Sequence, residues 1–176
     1  MLNSRANRGR ALEELIERIT GNVPGCVLFS QANRWVPLKG GRGGAFPARG
    51  APVDFVGAVR GVPVVLECKE VGKGKRFPLT ASRLPEREIQ AMERFEEAGG
   101  RAFLLVAFWG EDVLAVYPFS FVREKLASGM KSLRVEEGVL FSLGVRKGVP
   151  PVSAAGLMEM FVACDYSSNR HVLVGH

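Results

Sequence analysis

Val53-Asp54-Phe55-Val56-Gly57-Ala58-Val59, then Arg60-Gly61, then Val62-Pro63-Val64-Val65-Leu66-Glu67-Cys68-Lys69-Glu70 are two β-rich runs separated by a dipeptide suited to a tight turn. Together they read as a hairpin. Paired positions then have numbers with a constant sum, so Val59 faces Val62, Phe55 faces Leu66, and Asp54 faces Glu67. A four-residue loop centred on the same dipeptide keeps that register. Pro63 cannot donate to the ladder and belongs at an outward or non-bonded position near the turn.

Two carboxylates meeting on one face have chemical consequences. Directly opposed side chains have Cβ atoms about 4.5 to 5.5 Å apart, and like charges there destabilise a sheet. A divalent cation between Asp54 and Glu67 compensates, and Mg²⁺ is typically held by one or two carboxylates with water and phosphate oxygens as its other ligands. Side chains alternate along a strand, so Lys69 shares the face of Glu67 while Cys68 points to the other side. A lysine there can hold an attacking water or offset charge building on a scissile phosphate. Glu-x-Lys is an ordinary pattern on solvated strands; here Val62 to Leu66 is apolar on both faces and a carboxylate lies opposite.

Outward from the hairpin, Leu12, Leu15, Ile16 and Ile19 recur at helical spacing from about Ala6 to Thr20, with Gly21-Asn22 as a stop and Cys26 to Phe29 as a short strand. Glu13, one step from Leu12, is the glutamate of that helix nearest its apolar edge. Residues 39–50 combine glycine with Lys39, Arg42 and Arg49 and no acid, which excludes a regular buried element and reads as a mobile phosphate-contacting loop or a plain linker. After a second basic loop, Val71 to Arg76, a helix spans Pro85 to Ala98 with Ile89, Met92 and Phe95 on one side. Phe103 to Phe108 is apolar on both faces, as in a central strand, and Val113 to Tyr117 pairs beside it. The remainder gives a short helix at Phe119 to Leu126, weak strands near Leu133 and at Val139 to Leu143, and a helix at Ser153 to Ala163. The fold class expected is α/β, a mixed central β-sheet flanked by helices in one domain over residues 1–165, with a basic glycine-rich loop at 32–52 and a tail at 166–176.

At 176 residues with 47% apolar composition, the chain is long enough for an ordinary core. A net charge of +6 fits either a polyanionic partner or simple solubility. Up to Gly50 there are eight basic residues against three acidic ones, so most of the excess lies at the front. The three cysteines, Cys26, Cys68 and Cys164, are scattered, which suggests neither a disulfide framework nor a zinc knuckle. Only His171 and His176 are histidines, which removes histidine-based nucleophilic and metal chemistry and leaves carboxylates, lysine and a hard cation. No signal peptide and no apolar run of roughly 18 residues is present, so a cytoplasmic address is expected and a membrane is not.

Asn7-Arg8-Gly9-x-x-Leu12-Glu13, Val53-Asp54-Phe55-Val56-Gly57, Leu66-Glu67-Cys68-Lys69-Glu70, Phe77-Pro78-Leu79, and Gly99-Gly100 before the Phe103 strand resemble the RecU family of Holliday junction resolvases. The resemblance implies a restriction-endonuclease-like core and a nucleoid-associated homodimer that cuts four-way DNA junctions with Mg²⁺ or Mn²⁺. It implies Asp54, Glu67, Lys69 and Glu13 as catalytic residues. It implies a metal set of Asp54, Glu67, the Cys68 backbone carbonyl, Glu13 and, as a further candidate, Glu88. DNA contacts are expected from Arg8, Arg34, Lys39, Arg42, Arg49, Lys73 and Lys75.

Three departures stand out. Pro52 replaces a usual threonine, Arg87-Glu88 replaces a His-Gln pair, and the segment between Ala32 and Pro52 that corresponds to the junction-entering stalk is short and glycine-rich. A sibling resemblance is to the archaeal-type resolvases. The alternatives are a non-catalytic DNA-binding recombination accessory protein and a restriction or repair nuclease specific for duplex DNA.

Overall fold

The computed structural model describes residues 5–31, 35–37, 45–47 and 52–163, with backbone alone for 5–9, 35–37 and 45–47. Helix α1 (Arg5–Thr20) leads into strand β1 (Cys26–Ser30), and the expected hairpin follows as β4 (Phe55–Val59) and β5 (Val62–Val71). Between them lie two short strands, β2 (Trp35–Pro37) and β3 (Ala45–Pro47). Then come β6 (Arg76–Pro78), α2 (Glu86–Glu97), β7 (Arg101–Phe108), β8 (Val113–Pro118), α3 (Phe119–Ala127), β9 (Ser132–Arg134), β10 (Val139–Ser142) and α4 (Ala154–Val162).

The hairpin turns at Arg60 and Gly61, both at positive φ (48° and 81°). Two consecutive left-handed residues make the primed turn whose twist matches that of paired strands. The register follows as read from sequence, with Val59 opposite Val62, Phe55 opposite Leu66, and exposed Pro63 opposite Ala58. On its other edge β4 pairs with β1 so closely that a Cβ at Gly57 would lie 1.8 Å from the Val27 carbonyl oxygen. Only glycine fits there.

Six strands form the main sheet in the order β1-β4-β5-β7-β8-β10. Every neighbouring pair is antiparallel except β5 and β7, whose parallel pairing requires the long crossover that contains α2. β7 sits inside the sheet and is buried from Ala102 to Phe108, as its unbroken apolar run requires. On one face Leu12 and Ile16 of α1 and Leu157 and Phe161 of α4 pack with Phe55, Leu66, Phe103 and Leu105. On the other, Met92 of α2 and Phe119 and Val122 of α3 pack with Val65, Leu104, Val106 and Tyr117. The mixed sheet flanked by helices is therefore present, and each such fully buried side chain contributes about 1.5–3 kcal/mol of transfer free energy.

Two pairings depart from the sequence expectation. β6 pairs with β9 as a separate ribbon that buries Phe77 opposite Leu133, whereas only the second of these strands was expected. β3 pairs with β2, so the segment 39–50 does contain regular structure, at Ala45–Pro47. The physical reason is local: Val36 and Phe46 each precede a proline, which steers them to extended backbone, and they face each other across this ribbon. The tail at 166–176 lies outside the described residues. Among the described residues no helix is long and apolar enough to cross a membrane.

Candidate active site

Asp54 precedes β4 by one residue, and its backbone is fixed on both edges. Its N–H donates to the Leu66 carbonyl at 3.1 Å, and its own carbonyl accepts from the Gln31 N–H at 2.7 Å. The ladder itself ends at Phe55 opposite Leu66; Asp54, in the bend before β4, donates to that same Leu66 carbonyl, and its carboxylate interacts with that of Glu67. Asp54 Oδ2 accepts the Cys68 backbone N–H at 2.7 Å. Glu67 is 3% exposed and lies in the interior of β5. Lys69, two residues on and on the same face, brings its Nζ to 2.6 Å from Glu67 Oε1 and 2.7 Å from Glu88 Oε2.

The electrostatics follow from burial and crowding. Desolvation, with Asp54's charge beside it, pushes Glu67 up to about 9 despite the Lys69 ammonium. Burial likewise raises Asp54, against the lowering effect of the Cys68 N–H and Lys69. Burial opposes the charge on Lys69, yet Glu67 and Glu88 hold its pKa above the ordinary lysine value. Glu13 on α1 is half-buried; desolvation, reinforced by Asp54 and Glu17, brings it to about 7.

Glu67 and Lys69 alternate with Leu66 and Cys68, so they lie on the α2 face, whereas Cys68 packs toward the core beneath α1. Burial drives the Cys68 thiol well up, so the side chain is an inert core group. What Cys68 gives the site is backbone. The N–H and C=O of one strand residue point to the same side, so the Cys68 carbonyl faces the same edge as the N–H bonded to Asp54, where the pairing with β4 has ended.

Of the residues singled out from sequence, the structure brings together Asp54, Glu67, Lys69 and Glu88, and sets Glu13 within electrostatic reach of Asp54. Glu88 does not face solvent, one of its two expected alternatives; it is buried against Lys69. Lys73 and Lys75 are exposed on the loop directly after β5, Lys75 lying 3.7 Å from Glu111. The side chains of Arg8, Arg34, Lys39, Arg42 and Arg49 lie outside the described residues. Arg83 was not foreseen: its guanidinium donates to the Glu70 carbonyl and covers the Phe77 ring. No spacing signal marks it, because the contact joins a turn to a strand end.

Among the described residues no three His, Cys, Asp or Glu side chains converge as a ready-made ligand cluster. The donor set nevertheless suits a hard cation. Asp54 and Glu67 are oxygen donors, both raised chiefly by burial; the Asp54 charge raises Glu67 further, and the Lys69 ammonium does not offset this.

The Holliday junction resolvase Hjc from the archaeal hyperthermophile Archaeoglobus fulgidus superposes with a TM-score of 0.37 at 15% identity, covering 64% of this chain and 74% of that one. No curated protein matches the chain. The family model for Recombination protein U matches residues 42–140, a span of more than half the chain that contains Asp54, Glu67, Lys69 and Glu88, and the protein belongs to the RecU family.

Proposed function

We propose that the protein is a Holliday junction resolvase, a metal-dependent endonuclease that hydrolyses DNA phosphodiesters at four-way junctions in recombination and repair. The observation that supports this reading is the cluster at the open end of the hairpin, where the Asp54 and Glu67 carboxylates interact and the Lys69 ammonium lies 2.6 Å from Glu67. Family membership supplies the substrate class.

Asp54, Glu67 and the Cys68 carbonyl would hold Mg²⁺ or Mn²⁺, with Glu13 acting from the α1 side. A divalent ion held there would supply a more acidic water and Lewis-acid stabilisation of the phosphate. Lys69 is the catalytic cation: its ammonium offsets negative charge building on the scissile phosphate. Lys73 and Lys75, on the loop that leaves the same strand, would contact backbone phosphates together with Arg8, Arg34, Lys39, Arg42 and Arg49. The working unit is a nuclease domain over residues 1–165 with a restriction-endonuclease-like core, acting as a nucleoid-associated cytoplasmic homodimer that cuts both sides of a junction.

Asp54→Asn tests the centre. It keeps the shape of the side chain and is expected to retain four-way-junction binding while losing Mg²⁺-dependent cleavage by about 100-fold or more. Cleavage at the wild-type rate by this variant rejects the assignment. Parallel assays on linear duplex separate a resolvase from a duplex nuclease.

A further inference from the structure

Glu88 is the one charged residue of α2 that is buried; the helix's other charges are exposed or partly exposed. It is the third residue of α2, its N–H closes on the Pro85 carbonyl at 3.0 Å, and it is 7% exposed while its neighbours Glu86 and Arg87 face water. A carboxylate is costly to bury unless it is paired. Two features offset that cost here: the first turn of a helix favours negative charge, and Oε2 accepts from Lys69 Nζ at 2.7 Å.

Lys69 reaches the site on a flexible four-carbon stem, and a point charge of this kind is useful only where it is held. It has two carboxylate partners. Glu67 is the one the proposed cation also needs, so it cannot be devoted to the lysine. Glu88 arrives from a separate element, anchored by fully buried Met92 one turn further along α2.

We propose that Glu88 is a positioning residue that fixes the Lys69 ammonium over the scissile phosphate, rather than a further metal ligand. The inference rests on the nuclease reading above. It assigns α2 a task in the reaction: the helix that makes the parallel crossover also sets the height and direction of the lysine. An amide at position 88 keeps an acceptor oxygen for the ammonium, whereas alanine leaves none.

The test uses the full chain, a labelled four-way junction and graded Mg²⁺. Glu88→Ala is expected to lower the saturating rate about 10- to 100-fold, with junction KM and the Mg²⁺ concentration for half-maximal rate both within about twofold of wild type. Glu88→Gln is expected to recover most of the rate. A Glu88→Ala enzyme as fast as wild type overturns the proposal. A raised Mg²⁺ requirement with an unchanged saturating rate overturns it too, since that is the signature of a metal ligand.

A metal-free readout runs beside it: thermal melting in EDTA of Lys69→Met, Glu88→Ala and the double variant. Coupling through the ion pair predicts a double-variant shift smaller than the sum of the single shifts, and additive shifts overturn the pairing. If wild-type protein leaves every junction intact while the melting shifts remain coupled, the nuclease reading fails and Glu88 is reduced to a structural partner.

Discussion

At the scale of single residues, the site divides its labour between side chains and backbone. Cys68 stands between Glu67 and Lys69, yet its thiol faces the core under α1 and only its backbone reaches Asp54. Cys68→Ala should therefore keep cleavage within about threefold of wild type. Its expected cost is a loss of stability of about 1 kcal/mol, the scale for deleting a small buried group. Steady-state cleavage and melting of the same preparation check this, and a collapse of activity at unchanged stability would make the sulfur a participant. The register from Val59–Val62 to Phe55–Leu66 was legible because strand alternation is a property of the sequence itself, whereas Asp54 meets Glu67 from a bend beyond that ladder. The partnership of Lys69 with Glu88 was not legible, because nothing in the spacing of two residues on different elements says how a helix docks on a strand.

The hairpin is the element on which the rest depends, and its turn carries strain. Arg60 occupies left-handed backbone at φ 48°, which costs a non-glycine residue about 1–2 kcal/mol and which asparagine tolerates far better. Its ion pair with Glu159 is 3.8 Å long and exposed on both sides, so it contributes little. Arg60→Asn is expected to raise the melting temperature by about 2–4 °C, the shift that about 1 kcal/mol makes in a chain of this size. Cleavage should not change, because the register and the Asp54–Glu67 face stay as they are. A drop in melting temperature would mean that Arg60 does more than close the turn. The hairpin, the central strand, α1 and α2 could be read ahead because their runs are long or strongly periodic, whereas α3 and α4, nine residues each, were less legible. The ribbons β2–β3 and β6–β9 have three residues per strand, too few for a period to show, and both are defined by their partners.

For the molecule as a whole, the carboxylate cluster ties stability to pH and to the cation. Glu13 and Glu67 have folded-state pKa values of about 7 and about 9 against 4.5 when unfolded, and Asp54 is raised in the same sense. Between about pH 4.5 and 9 the folded chain thus binds more protons than the unfolded one, so stability is full at the acid end and declines as pH rises through these values. Burial raises Glu137, but Lys125 and Arg134 together outweigh it and hold the carboxyl below its ordinary value, so it acts with the opposite sign and below that window. In EDTA the melting temperature is expected to fall by several degrees from pH 5 to pH 8.5, each 1 kcal/mol amounting to about 2–4 °C. Glu67→Gln, which no longer ionises, should flatten that slope. Saturating Mg²⁺ should restore the loss at pH 8.5, since a ligand at 100 times its Kd adds about 2.7 kcal/mol to the folded state. A wild-type melting curve that is flat across this range in EDTA, or indifferent to Mg²⁺ at its alkaline end, would mean that these carboxylates do not crowd one another and have no need of a cation.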